Sequence, residues 1–257
     1  MADPSDHRAA AAAWVPQRPG RVAARDIPDA IVEPDWAGLR VVAAIGPGGA
    51  EIYRYGDRLE VPRPLEEELA FAFEAIDGVI EGHLTTAAFD EGVGAFPAQE
   101  PVARPIFSMP RIFKRSGKDD PYVYGRSHAA REEAAAPAVL EALEAGEEHA
   151  FVAIDLLWLD GQSLVDIPLL ERKRLLDAVL TRSKLVRVTP FIRPAAAPRT
   201  LVTWGTLGFE DLCWRAANSR YRAGEENPGW AVAAAPLNTT RAPAEPTRKP
   251  AEPTDEP

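Results

Sequence analysis

Hydrophobic and polar positions repeat in distinct registers along the chain. Arg40–Ile45 is a β run, Pro47-Gly48-Gly49 supplies a turn, and Glu51–Tyr55 alternates polar with apolar residues, so the pair predicts a hairpin. From Pro64, apolar residues recur at Leu65, Leu69, Ala72, Phe73 and Ile76, a helical spacing that Asp77-Gly78 closes. Val79–Thr86 predicts a short strand, and Arg131–Ala145 a helix with Val139, Leu140 and Leu143 on one side. Phe151–Leu159 is a continuous apolar run, read as a buried strand before a turn at Asp160-Gly161. Pro168–Leu180 predicts another helix, its Leu169, Leu170, Leu175, Leu176 and Val179 set against a basic Arg172-Lys173-Arg174 face. Lys184–Phe191 and Asp211–Ala216 predict the later strands. Strands and helices mix without strict alternation, which points to an α+β fold.

Both ends read differently. Residues 1–28 mix Pro16, Pro19, Pro28 and Gly20 with alanines and predict an irregular arm with one short helical turn, Trp14 tucking against the body. Residues 235–257 alternate proline with Ala, Glu and Thr, and so few apolar side chains predict a disordered tail. The expected folded unit is 29–234. Among the 257 residues 46% are hydrophobic and 26% charged, enough apolar mass for a core. A formal net charge of -10 repels phosphate backbones, so any nucleic-acid contact needs a local basic patch. The single cysteine, Cys213, excludes an intramolecular disulfide and a multi-cysteine zinc site. No apolar run has the length of a membrane span or the form of a signal peptide, so a cytoplasmic protein without membrane contact is expected.

Five blocks then carry chemistry. They are Glu33-Pro34-Asp35-Trp36-Ala37-Gly38-Leu39-Arg40; Tyr53-Arg54-Tyr55-Gly56; Glu81-Gly82-His83-Leu84; Phe151–Gly161 continuing to Pro168-Leu169-Leu170-Glu171-Arg172; and Glu210–Tyr221, continuing to Gly224 and Trp230. In order and content they resemble the motifs of ATP-dependent DNA ligases, whose first motif reads Glu-Pro-Lys-Trp-Asp-Gly-x-Arg. The resemblance implies the ligase and capping-enzyme nucleotidyltransferase core: two antiparallel sheets with flanking helices around a cleft. It also implies ATP and magnesium as cofactors and a role in DNA repair and recombination.

The same resemblance exposes losses. Family enzymes attack the α-phosphorus of ATP with a lysine amine, which needs a lone pair on nitrogen. Asp35 stands at that position, Ala37 at the acid that follows, and His83 at the carboxylate of the third block, with Glu81 two residues earlier as a partial stand-in. Ile154 replaces the adenine-stacking aromatic, Arg215 a phosphate-facing lysine, and Val232 and Ala234 the last lysine pair. By resemblance, the retained nucleotide-binding candidates are Arg40, Arg54, Glu81, Glu210 and Arg215, and no catalytic residue or metal site is assigned. Arg40 and Arg54 are phosphate ligands or solvated strand residues; Glu210 accepts a ribose hydroxyl or pairs with Arg215; Asp155 holds a metal or is a hydrogen-bonded acid. Family ligases continue into an OB-type domain, whereas this chain runs into its Pro-rich tail, so a closing half is expected from another molecule.

Residues 104–131 form a basic and aromatic insertion relative to the ligase pattern. Arg111, Lys114, Arg115 and Lys118 interleave there with Phe107, Phe113, Tyr122 and Tyr124, the mixture that grips single strands by charge and stacking. The expectation is a non-catalytic accessory protein that binds nucleotide, nucleic acid or a DNA-repair protein. The alternative is an active ligase or nucleotidyltransferase that uses Lys114 or Lys118 as a displaced nucleophile.

Overall fold

The computed structural model describes residues 6–36, 38–85, 121–207 and 209–236. Its frame is an antiparallel sheet grown outward from the expected hairpin. β3 (Leu39–Gly46) turns into β4 (Gly49–Arg54), which pairs with the short β5 (Asp57–Leu59). On its other side β3 pairs with β6 (Gly78–Thr85), β6 with β7 (Ala150–Leu159), and β7 with β8 (Gln162–Ser163). β9 (Val186–Val188) joins β7 in parallel. A second, three-stranded antiparallel sheet runs in the order β12 (Trp230–Ala234), β10 (Asp211–Ala216), β2 (Ala30–Pro34). Pro34 is tolerated because it ends β2, an edge strand whose outer side carries only a single bridge, at Val32.

Four helices and the arm complete the layers. One face of the large sheet (Val41, Ala43, Ile80, Phe151, Ala153) packs on α2 (Arg63–Ala72), α3 (Pro121–Glu144) and α4 (Leu169–Val179) in the main core. The other face meets α1 (Asp6–Ala12), Trp14 and Tyr221. A second core of Val32, Trp36, Val152, Ile154, Phe209 and Leu212 joins residues of the two sheets and is closed by Trp204 from α5 (Pro198–Thr206). The mixed helix and sheet architecture with a curled antiparallel sheet is the expected fold class.

Several boundaries move, each for a local reason. The second helix stops at Ala72 rather than Ile76, because Phe73 turns extended and bridges Leu180. Ile76 is consequently 70% exposed. α3 starts ten residues before Arg131. The strand expected over Lys184–Phe191 holds the large sheet for three residues only, then crosses over so that Ile192 bridges Val32. The arm is more ordered than an irregular segment. Its β1 (Arg18–Pro19) pairs in parallel with β11 (Glu226–Asn227), and Trp14 is buried with Nε1 donating to Tyr221 Oη at 2.8 Å. The tail beyond residue 236 lies outside the described residues.

Candidate functional site

Strand registers decide which side chains meet. Val42 pairs with Glu81 and Glu81 with Asp155, while Arg40 lies two residues from Val42 on the same face, so Arg40, Glu81 and Asp155 share one side of the large sheet. In the small sheet, Cys213 pairs with both Glu33 and Val232, and Arg215 with Trp230, so these side chains share the face that looks back across the cleft. Register shifts in the β6–β7 ladder flank this point, a common device for re-aiming side chains beside a site. Gly82 is required on β6, because a Cβ there would collide with the Phe151 ring and the Val152 carbonyl.

What meets in the cleft is a buried ion network. Arg40 Nε donates to Glu81 Oε1 at 2.7 Å, and its Nη1 donates to the Gln17 carbonyl at 2.8 Å. Tyr221 Oη donates to the same Glu81 oxygen at 3.3 Å. Arg172 grips Asp155 with two bonds of 2.8 Å. Arg215 bridges Glu33 at 3.5 Å and Asp155 at 3.4 Å, and Lys173 pairs with Glu33. All seven charged groups are buried. Four are cations and three are carboxylates; Glu132 of α3, whose charge also acts on Arg40, brings the set to balance. The Trp230 ring is wedged between the guanidinium groups of Arg40 and Arg215, 5.1 and 5.2 Å from its centre, in cation–π contact with both.

Proton affinities follow from this packing. Burial alone would lower the pKa of Arg40, but Glu81 and then Glu132 outweigh it, so the guanidinium is held more firmly protonated. Burial also opposes Arg215, and Glu33 with Asp155 reverses the balance in the same way. For Asp155, burial pushes up, but Arg172, Arg215 and Lys173 together outweigh it and leave the carboxyl below its usual range. Burial dominates at Glu81, which sits above the usual carboxylate range, and at Lys173, whose amine sits below the usual lysine value despite Glu33. It also raises the Cys213 thiol, with Asp35 and Glu33 adding to the effect.

Asp35 stands at the mouth of this network. Cys213 Sγ donates to its Oδ1 at 3.5 Å. The space it shares with Arg40, His83, Ile154, Arg215 and Trp230 measures about 20 Å³. Val232 joins Cys213 and Trp230 in an apolar cluster.

No family model matches the chain, and no curated protein sequence matches it either. Solved structures do. The ligase domain of LigD from M. tuberculosis superimposes with a TM-score of 0.51 at 19% identity, over 85% of this chain and 58% of that one. Mycobacterial DNA ligase D complexed with ATP and MES gives 0.51 at 18%, over 85% and 59%. The structure named Pmar-Lig_Pre gives 0.52 at 10%, over 86% and 46%. The chain has the nucleotidyltransferase fold of ATP-dependent DNA ligases. It spans less than 60% of the LigD ligase domain.

On that fold the candidate residues separate. Arg40, Glu81 and Arg215 come together, joined to one another through carboxylates, Tyr221 and Trp230. Arg54 is not bonded into that network: it lies half-buried on β4, its guanidinium over the Tyr55 ring at 4.9 Å, and it shares with Arg40 the wall of a separate cavity of about 240 Å³. Glu210 is exposed just before β10, and Arg215 pairs with Glu33 and Asp155 instead. Asp155 is the hydrogen-bonded acid. Arg111, Lys114, Arg115, Lys118 and Ala37 lie outside the described residues. Among those described, no group of three or more His, Cys, Asp or Glu residues has metal-binding geometry.

The residues that sequence reasoning missed are Arg172 and Lys173. The basic face expected on α4 is buried at both, and of the three cations Arg174 alone is exposed, paired with Glu171. The signal was present: Leu169, Arg172, Lys173, Leu176 and Leu180 follow the spacing of one helical stripe, so both cations sit on the inward side. Gln17 was missed too, and nothing in its local sequence marks it.

Proposed function

We propose that this chain is a ligase-fold protein that does not adenylate itself and serves as a non-catalytic binding or accessory module. The observation that carries the reading is Asp35 at the nucleophile position, beside a space of about 20 Å³. Clefts that enclose a small-molecule ligand measure roughly 300–1,000 Å³, so the residues around Asp35 do not fit a nucleoside triphosphate. A carboxylate would also repel the α-phosphate and offers no amine to attack it. Each arginine that resembles a phosphate ligand inside the cleft already has carboxylate partners, and Trp230 fills the gap between them. The ligase-like neighbours favour nucleic acid or a DNA-repair protein as the partner, met on the surface rather than in the cleft. Among the described residues no helix is long and apolar enough to cross a membrane.

The test is incubation of the full chain with α-labelled ATP and magnesium, followed by denaturing electrophoresis. No protein-bound label is expected, and an acid-labile adenylate would overturn the proposal. One observation favours the active alternative: the lowered pKa of Lys173 makes it, beside Lys114 and Lys118, a candidate displaced nucleophile. Against it, the amine is paired with Glu33 and fully enclosed. Peptide mapping of any label to Lys173, Lys114 or Lys118 would establish the alternative.

A further inference from the structure

The helical stripe Leu65, Leu69, Ala72, Phe73, Ile76 does not survive as one face. Leu65, Leu69 and Ala72 enter the main core, and Phe73 leaves the helix to bridge Leu180. Three hydrogen bonds pin the turn around it. Thr181 N donates to the Ala72 carbonyl and Glu74 N to the Val179 carbonyl, both at 2.8 Å, and Ile76 N donates to Asp160 Oδ1 at 2.9 Å. The joined ends of α2 and α4 thereby hold two large apolar side chains in solvent. Phe71 is 90% exposed and Ile76 70%, the two highest values among the large hydrophobic residues described. The backbone cannot turn Ile76 inward without breaking these bonds. Elsewhere the chain buries its rings: Trp14, Trp36, Phe151, Trp204, Phe209 and Trp230 are each at most 5% exposed. A single exposed apolar residue is ordinary, but two large ones flanking one pinned turn mark an interaction surface.

Charge decides what fits there. Glu67 stands one helical turn before Phe71 on the same face, Glu74 lies between Phe71 and Ile76, and Asp160 and Asp177 stand on the adjoining turn and on α4. All four carboxylates are exposed. Glu67 pairs with Arg63 and Asp177 with Arg182. Among the described residues, Glu74 accepts only from the Thr181 hydroxyl, and Asp160 only from the backbone amides of Ile76 and Asp77, so no cation neutralises either. An anionic membrane, a nucleic acid or a second copy of this chain, whose net charge is -10, would meet like charge here. A cationic partner gains.

We infer that this turn docks a basic amphipathic helix of another protein, its apolar residues on Phe71 and Ile76 and its lysines or arginines facing Glu74 and Asp160. Five residues of chain keep the two apolar side chains within about 17 Å of each other, a distance that about three helical turns span. A helix with one apolar stripe and a charged flank matches both demands at once. The surface is separate from the cleft, because α2 packs on the face of the large sheet opposite to Arg40 and Glu81. The inference deepens the accessory reading and rests on it. The two fail separately: a covalent adenylate overturns the non-catalytic reading, and the binding assay bears on this surface.

The experiment is fluorescence anisotropy of the full chain with a labelled leucine–lysine peptide of about 15 residues, its leucines at helical spacing. Binding is expected, weakened about tenfold in F71Q and about fivefold in I76Q. V15Q, which changes an exposed apolar residue of the arm, binds like the wild type. Phe71 and Ile76 are exposed, so the melting temperatures of F71Q and I76Q stay at the wild-type value. Salt weakens the complex, and the E74Q/D160N double variant loses most of that dependence. Absence of binding, equal binding by wild type and F71Q, or tighter binding of a leucine–glutamate peptide overturns the surface. Sedimentation velocity and flotation with phosphatidylserine vesicles cover the other occupants. A dimer that F71Q dissolves would assign the turn to a second copy, and flotation that F71Q abolishes would assign it to a membrane; either result overturns the proposal.

Discussion

Asp155 holds two arginines at once, Arg172 through paired 2.8 Å bonds and Arg215 at 3.4 Å, with no part of the carboxylate exposed. Replacing it by asparagine leaves two buried guanidinium groups undercompensated, which costs about 3–5 kcal/mol. Urea denaturation of D155N beside the wild type measures this. The pH dependence has a definite sign. The folded-state pKa lies below the ordinary 3.8, so the proton binds more weakly in the folded chain. The stabilisation is therefore fully present above pH 3.8 and is lost as pH falls through the folded value. The difference in stability between wild type and D155N should stay constant from neutral pH down to that point and narrow only below it. A difference that vanished in mildly acidic solution would assign the stability to another group.

At the scale of elements, α4 shows how charge can serve as core. Arg172 and Lys173 stand on the stripe that also holds Leu169 and Leu176, while Arg174 faces out. K173M, close in volume, leaves the buried Glu33 only its 3.5 Å contact with Arg215 and is expected to lose about 3 kcal/mol. R174M removes only an exposed pair and should change stability by no more than about 0.5 kcal/mol. Thermal melts of the two variants compare neighbouring cations on one helix. The elements that were legible in the sequence, the hairpin, β6, β7, β10 and α4, carry either continuous apolar runs or clean periodicity. β2 was hidden by Glu33 and Pro34, whose strand character comes from pairing with β10 rather than from propensity. The burial of Arg172 and Lys173 was hidden because charge outweighed spacing in the reading of their face. The arm's Trp14 was legible as an anchor. Gln17 was not, because its role exists only once Arg40, Arg222 and Asn227 surround it.

At the scale of the molecule, two sheets face each other across a cleft that the chain fills with its own charges. The scaffold is that of the ligases, and the five sequence blocks map onto its strands, turns and α4 in order. On the proposed reading fold and chemistry separate, because the fold depends on ladders and apolar layers while self-adenylation depends on a single amine and open space. Giving back the amine alone should therefore not give back the reaction. The decisive measurement is the intact mass of folded D35K after incubation with ATP and magnesium, with its fold verified by an unchanged circular dichroism spectrum. An unmodified mass is expected, because Trp230, Arg40 and Arg215 leave about 20 Å³ where a nucleotide would have to enter. A mass increased by one AMP would mean that the cleft opens, and would contradict the account of a scaffold closed around its own ions.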